Sequence, residues 1–558
     1  MKKIFSASID TLATNLEAGA RADFRNTQRF IEPAQGTLQR AQNTRHHIVF
    51  GRRGSGKSSL LFKSAEDLAS NGFPIAFIDL EPYKGHQYPD IIISVLIATL
   101  DKIRNWVQEN IDEKPSKNKW FSFFKRGKRD SPKSALLKKL ESLIKDLYTQ
   151  LYLADNATLL KKQNDSTSQA KTDKAKGSIS VPLLTLGTTK TEGEVSQSSE
   201  TSSNTLSQEE FRRSKKDYLL RKILDFQDAF QRLYQLTQKD CYLFLDDLYH
   251  ILRRDQASLI DYFHRISKGN KVWLKIGTIR NRTNWYRHSP QPIGLKLGDD
   301  ADEINLDLTL EKFSLSKAFL SKILEVYIQE ADAPNLKEFV ADTGLDRLVL
   351  SSGGVARDFL GLFRKSILET RERLTKSHNH HRGDKIGAED VNIASGEYGQ
   401  LKKEEFQRDT LEDQKELEEA FEKIKWFCLD QIKKNVFLVD VDSTGIQLSL
   451  LDELIDLRLV HQIKSRVTVG DRPGKVFKAY ILDVSQHTGE RARRDVEMVD
   501  FWKEGNKGKL RLASLIYNPN VILSDLSNSN NPKNKRHPTK KESKKGKSSS
   551  SDSQQKLF

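Results

Sequence analysis

Eight consecutive residues, Gly51-Arg52-Arg53-Gly54-Ser55-Gly56-Lys57-Ser58, fit the pattern G-x-x-x-x-G-K-[ST] at every fixed position. Glycines at these places let a backbone wrap a phosphate, and the exposed N–H groups together with a helix N-terminus favour its negative charge. Lys57 is placed to reach the β- and γ-phosphates, Ser58 to ligate Mg²⁺, and Ser59 continues the loop into the helix. Such a site needs a carboxylate at the end of a neighbouring buried strand. Asp246, after Tyr242-Leu243-Phe244-Leu245, is the candidate Mg²⁺ ligand, and Asp247 beside it the group that orients an attacking water. The chemistry implied is binding and hydrolysis of ATP with Mg²⁺.

The surrounding elements suit that chemistry. His47-Ile48-Val49-Phe50 is a short apolar strand ending at Gly51, and a helix opens at Lys57 and stops at Asn71-Gly72, a good C-cap pair. Pro74 to Leu80 reads as a buried parallel strand, and Pro89 opens a helix to about Asn110. Strands are expected again at Tyr242–Leu245, Val272–Thr278 and Ile304–Leu310. This alternation predicts a parallel, three-layer α/β domain over 46–312, preceded by a helical segment over 1–45.

An insertion over about 111–239 interrupts the pattern. It holds a helix with apolar residues at 136, 137, 140, 143, 144, 147 and 151, a Ser/Thr/Gln/Lys-rich loop over 162–209, and a second amphipathic helix from about Gln208 to Gln238. The two helices are expected to project from the core as an antiparallel pair. A helical lid follows over 313–376. Beyond it, 388–500 reads as a long charged helix (about Leu401 to Lys434), a strand (Val436–Val439), a helix (Ile446–Val460) and a hairpin turning at GDRPG, the outline of a winged helix. Residues 527–558 form a low-complexity basic tail.

The order of GRRGSGKSS, YLFLDD, a strand ending in Thr278, a lid containing GGVAR and a winged helix resembles the AAA+ ATPases. Within them it is similar to the origin-recognition and cell-division-cycle initiators and to STAND-related prokaryotic ATPases. The resemblance implies that Thr278 is a first sensor on the γ-phosphate side and that Arg357 of GGVAR is a second sensor reaching down from the lid. It offers Arg280 and Arg282 as arginine fingers toward a neighbour's nucleotide, which requires a homo-oligomer. Strong motors of the family carry Glu where this chain has Asp247, so the resemblance implies a slow switch. It also points to prokaryotic genome maintenance or antiviral defence, with a replication initiator or loader and a non-hydrolysing scaffold as the alternatives.

The 558 residues carry 92 Lys or Arg against 76 Asp or Glu, a net charge of +16. The excess lies in two windows, Lys114 to Lys139 with interleaved Trp120, Phe121, Phe123 and Phe124, and the tail from 527. Those windows and the hairpin cations from Lys464 to Lys478 are candidate nucleic-acid contacts. The helix before the hairpin carries Asp452, Glu453 and Asp456 against Arg458, which suits a DNA groove poorly and leaves a protein contact or a contact by the wing alone. His378, His380 and His381 share one short loop and read as solvated. Two cysteines, Cys241 and Cys428, exclude a disulfide framework and a multi-cysteine zinc module. No apolar run reaches membrane length and no signal peptide is legible, so a cytoplasmic setting is expected.

Overall fold

The structure is a computed structural model, described over residues 3–19, 24–112, 131–152, 195–376, 383–409, 414–442, 445–489 and 495–518. Met1–Tyr517 forms one compact unit; Asn518–Phe558 is a second, nearly all of it outside the described residues.

The described helices begin with α1 (Ala7–Ala18), α2 (Thr37–Gln42), α3 (Lys57–Ser70), α4 (Asp90–Asn110), α5 (Pro132–Leu151), α6 (Val195–Thr237) and α7 (Arg253–Ser267). Strands β1 (His46–Phe50), β2 (Ile75–Asp79), β3 (Cys241–Asp246), β4 (Val272–Thr278) and β7 (Ala301–Asn305) form a sheet in the order β2-β3-β4-β1-β7, with every pairing parallel. A two-stranded ribbon, β5 (Tyr286–Arg287) and β6 (Ile293–Gly294), lies beside it in sequence. Alternate side chains serve opposite faces, as the strand period of two requires. Ile48, Phe50, Leu243 and Leu245 pack with α4 and α7; Val49, Tyr242 and Phe244 pack with Leu60, Leu61 and Leu68 of α3. The fold is therefore the expected three-layer α/β arrangement. Burial of Phe50, Phe244 and Phe263 contributes about 1.5–3 kcal/mol each.

The insertion helices do not project. Leu136, Leu140, Leu143 and Leu147 of α5 and Leu219, Phe226 and Phe230 of α6 lie in the same core as α4 and the sheet, because their apolar faces match the uncovered back of α4. Helix α6 also begins at Val195, well inside the stretch expected to be a loop, while 153–194 lies outside the described residues. The last strand starts and ends earlier than expected, at Ala301–Asn305, for a reason given below.

The lid comprises α8 (Phe313–Glu330), α9 (Leu336–Phe339), α10 (Asp342–Ser352) and α11 (Ala356–Lys376). Helix α1 belongs to it: Ile9, Leu12 and Leu16 are buried with Leu320, Leu324 and Tyr327. Of the expected long charged helix, α12 (Ala388–Asp409) and α13 (Gln414–Trp426) are described, with 410–413 outside the described residues; β8 (Val436–Asp440), α14 (Gly445–Asp456), β9 (Val460–Val467) and β10 (Phe477–Leu482) follow. These strands form an antiparallel sheet in the order β8-β10-β9. Its Val436, Leu438, Ile463, Ala479 and Ile481 share a core with the lid, whereas Phe437, Val439 and Tyr480 pack under α13 and α14. Lid and C-terminal sheet are thus joined by one continuous apolar core. Among the described residues no helix is long and apolar enough to cross a membrane.

Candidate functional site

Strand β1 ends where the phosphate loop begins. Gly51 N–H donates to the Thr278 carbonyl at 3.2 Å, which fixes the loop mouth against β4, and Ser55 N–H donates to the Arg52 carbonyl at 3.1 Å. Gly54 and Gly56 hold φ of +83° and +99°, values that a residue with a Cβ adopts only under strain. Lys57 is buried at the first turn of α3 and donates back to the Arg52 carbonyl at 3.3 Å. Burial lowers the Lys57 pKa, while Asp247, Asp246 and Asp307 oppose the shift.

The acid pair faces this loop from the adjoining strand. Asp246, 4% exposed at the end of β3, is hydrogen-bonded to Ser58, the two side chains expected to hold Mg²⁺. Gly277 on β4 has no Cβ to fill the space that the Asp246 carboxylate occupies. Burial, and then the Asp247 charge, raise the Asp246 pKa to about 7, against the pull of Ser58 and Lys57. Asp247 has a left-handed backbone (φ 56°) and donates its N–H to Asp246 Oδ1 at 2.9 Å. Its own pKa is raised by burial and lowered by Lys57 and His250. The buried Asp246 carboxyl, the half-buried Asp247 carboxyl and the Ser58 alcohol form a donor set that fits a hard divalent cation.

Thr278 and Thr283 face each other, Oγ1 to Oγ1, at 2.5 Å. Thr283 donates to the Ile279 carbonyl at 2.7 Å, so the Thr278 hydroxyl is the donor between them and keeps its lone pairs for another partner. Arg280 is held within its own chain: it pairs with Glu303 at 2.5 Å and lies 4.0 Å over the Phe50 ring. Arg280 and Arg282 lie on a short turn on which α14 docks. Asn281 N–H donates to Asp456 Oδ2 at 3.3 Å, and Arg253 pairs with Glu453 at 3.6 Å. The acids that suit DNA poorly therefore face the α/β core. Burial, with Asp307 adding to it, raises the Asp456 pKa to about 7.

The lid meets the loop at Arg357 and at Gly353. Arg357 N–H donates to the Gly54 carbonyl at 3.2 Å, and a Cβ on Gly54 would come within 2.7 Å of Arg357 Cβ. Gly353 and Gly354, with φ of +59° and +81°, make the turn that brings Arg357 in. The Arg357 charge acts on Lys57 and lowers its pKa, and among the described residues no carboxylate pairs with the Arg357 guanidinium. Lys57 and Arg357 are close enough for their charges to act on each other beside the loop, an arrangement suited to an anionic ligand.

Sequence reasoning missed the side chain of Arg52. It is 4% exposed and turns away from the loop, with Nε 3.2 Å from Asp307 Oδ1 and Nη2 3.0 Å from both the Leu308 and Gly353 carbonyls. Asp307 Oδ1 also accepts the Arg52 N–H at 2.8 Å. Leu306 N–H still donates to the Phe50 carbonyl at 2.9 Å, but the ladder stops there because the Asp307 carboxylate and the Leu308 carbonyl bind Arg52. Gly277 was legible only as a strand glycine, and Asp307 only as an interruption in INLDLTL.

Of the basic windows, 113–130 and the tail from 519 lie outside the described residues, as do His378, His380 and His381. Lys139 of the first window pairs with Asp225 at 2.9 Å. On the hairpin Lys475 pairs with Asp440 at 2.7 Å, while Lys464 and Arg466 are exposed. With Lys312 and Arg511 they rim a cleft of about 470 Å³ over Phe313 and Trp502. Cys241 and Cys428 are buried, and burial pushes both thiols up. Among the described residues, no cluster of three or more His, Cys, Asp or Glu gathers around a metal-sized space.

No family model and no curated protein matches the chain. Among the solved structures that match the chain are the following three. A Walker-type ATPase of Pyrococcus abyssi is 11% identical, with a TM-score of 0.36 over 81% of this chain and 93% of that one. The Aeropyrum pernix Orc1 protein in complex with DNA is 12% identical, with a TM-score of 0.30 over 88% and 91%. Cdc6p from Pyrobaculum aerophilum is 10% identical, with a TM-score of 0.28 over 78% and 84%.

Proposed function

We propose that the chain is an AAA+-type ATPase that works as a slow nucleotide-dependent switch. The observation that carries this reading is the approach of Arg357 to Gly54, which sets a lid cation beside Lys57 over the phosphate loop. In this reading, the backbone N–H groups of Gly54, Gly56, Lys57 and Ser58 cradle the phosphates, and Lys57 leaves the Arg52 carbonyl for the β- and γ-oxygens. Ser58 and Asp246 would hold Mg²⁺, which would supply charge neutralisation to the bound phosphates. Asp247 orients the attacking water with a side chain one methylene shorter than Glu, and Thr278, turning its O–H away from Thr283, donates it to the γ-phosphate side. Arg357 offsets the charge developing there. A finger acting in trans would come from Arg280 or Arg282, on the turn after β4.

Closure is read out by the C-terminal domain, to nucleic acid or to a partner protein. The second reading, a DNA-binding initiator or loader, draws on the cleft rimmed by Lys312, Lys464, Arg466 and Arg511. Genome maintenance or antiviral defence rests on the motif resemblance alone. ATPase turnover measured with and without duplex DNA, in the parent protein and in Lys57→Ala and Asp247→Asn, separates the readings. A slow rate unaffected by DNA supports the switch, and strong DNA stimulation supports the loader. Binding without turnover supports a nucleotide-binding scaffold.

A further inference from the structure

Five ionisable side chains, Asp358, Lys402, Arg458, His461 and Asp483, lie buried at 0–4% exposure where α11, α12 and the C-terminal sheet meet. Arg458 Nη1 is 2.5 Å from Asp358 Oδ1, and Lys402 Nζ is 2.8 Å from Asp483 Oδ2 and 3.7 Å from Asp358 Oδ2. His461 Nε2 is 2.8 Å from Asp483 Oδ2, and Tyr398 donates to Asp358 Oδ1 at 3.1 Å. Burial holds His461 below its ordinary pKa, so it is neutral and donates its Nε2–H to Asp483, while Nδ1 has no hydrogen-bond partner. Burial opposes ionisation of Asp483, yet Lys402 and His461 hold it well below the usual carboxylate range. Two acids and two cations therefore balance in the dark of the core.

The network touches the site at both ends. Asp358 is the residue after Arg357, on the first turn of α11. Gly353 has no Cβ because the His461 ring fills that space, and the Gly353 carbonyl accepts the Arg52 guanidinium at 3.0 Å. A continuous path runs from the phosphate loop, through Arg52, Gly353, His461, Asp483 and Lys402, to Asp358 and so to Arg357. Buried ion pairs seldom add net stability over apolar packing, so stability alone is a poor account of them. Their geometry does fix a position. We propose that Arg52, Asp358 and Arg458 are positioning residues of the nucleotide site. They hold Arg357 over the phosphate loop and tie its place to that of the C-terminal sheet, which thereby registers whether the loop carries ATP or ADP.

The lever is local. Lys57 donates to the Arg52 carbonyl here, and a γ-phosphate that draws Lys57 and Arg357 to itself loads the Arg52 peptide and its clamp on Gly353. The lid and C-terminal sheet share one core, so a displacement at Gly353 is passed on as a rigid-body shift. This inference rests on the nucleotide reading above.

Hydrogen exchange on the full chain tests it, with MgATP against MgADP. In the parent protein ATP slows exchange in 51–58 and changes it in 460–487 more than ADP does. In Arg458→Met, 51–58 stays protected, the response of 460–487 disappears, and the preference for ATP over ADP falls by about tenfold. Arg458→Lys restores both. Tyr398→Phe, which deletes the hydroxyl bonded to Asp358, weakens the response and serves if Arg458→Met does not fold. An ATP response in 460–487 that survives Arg458→Met overturns the proposal, as does a parent protein protected at 51–58 with no change in 460–487. If 51–58 gains no protection in the parent protein, the nucleotide reading falls and this inference with it.

Discussion

The backbone N–H of Arg357 donates to the carbonyl of Gly54 across 3.2 Å, so the lid rests on the phosphate loop at a residue without a Cβ. Lid position and loop conformation are therefore one variable. Whatever moves Arg357 also acts on the Gly54 carbonyl.

Gly54→Ala tests that contact. The substitution puts a Cβ at φ +83° and within 2.7 Å of Arg357 Cβ, so both strain and overlap push the lid away. A left-handed alanine costs about 1–2 kcal/mol, and titration with a fluorescent ATP analogue is expected to show affinity lowered at least ~10-fold. The melting temperature falls by only a few degrees.

The acid pair separates binding from turnover. Asp247→Asn keeps the shape beside Asp246 and removes the charge that orients water, so ATP affinity stays near the parent value and kcat drops by about 100-fold. Lys57→Ala loses affinity and turnover together. An Asp247→Asn variant with parental kcat removes Asp247 from the mechanism.

Asp246 and Asp456 give the nucleotide-free protein a defined pH dependence. Each has a folded pKa of about 7 against 3.8 for an unperturbed aspartate, so the folded chain keeps a proton that the unfolded chain releases. Stability from these groups is full below pH 4 and is lost as pH rises toward 7. Melting scans across that range are expected to show Asp456→Asn gaining on the parent protein as pH rises, with no change in ATP affinity. Asp246→Asn behaves alike without ligand and loses the stabilisation that MgATP gives the parent protein.

Much of the site was legible because its chemistry is local in sequence. The loop from Gly51 to Ser58 and the pair Asp246-Asp247 each sit on one strand end, and the three-layer sheet follows from the alternation around them. What escaped depends on contacts across hundreds of residues. Arg52 reads as a loop residue until Asp307 and Gly353 are seen to hold its guanidinium. The strand expected at Ile304–Leu310 ends at Asn305 because Asp307 and Leu308 serve Arg52. The acids of α14 were visibly wrong for DNA, but that they face Arg253 and Asn281 is a tertiary fact. The amphipathic faces of α5 and α6 announced burial without saying that α4 would cover them.

Calorimetric titration of ATP and ADP into the parent protein and Arg357→Ala tests the central claim most directly. A charged hydrogen bond to the γ-phosphate contributes about 1.5–3 kcal/mol, so the parent protein is expected to prefer ATP by ~10-fold or more. Arg357→Ala is expected to bind ADP as before and to bind ATP no better than ADP. Equal preference for ATP in both proteins, or no nucleotide binding in either, would contradict the account.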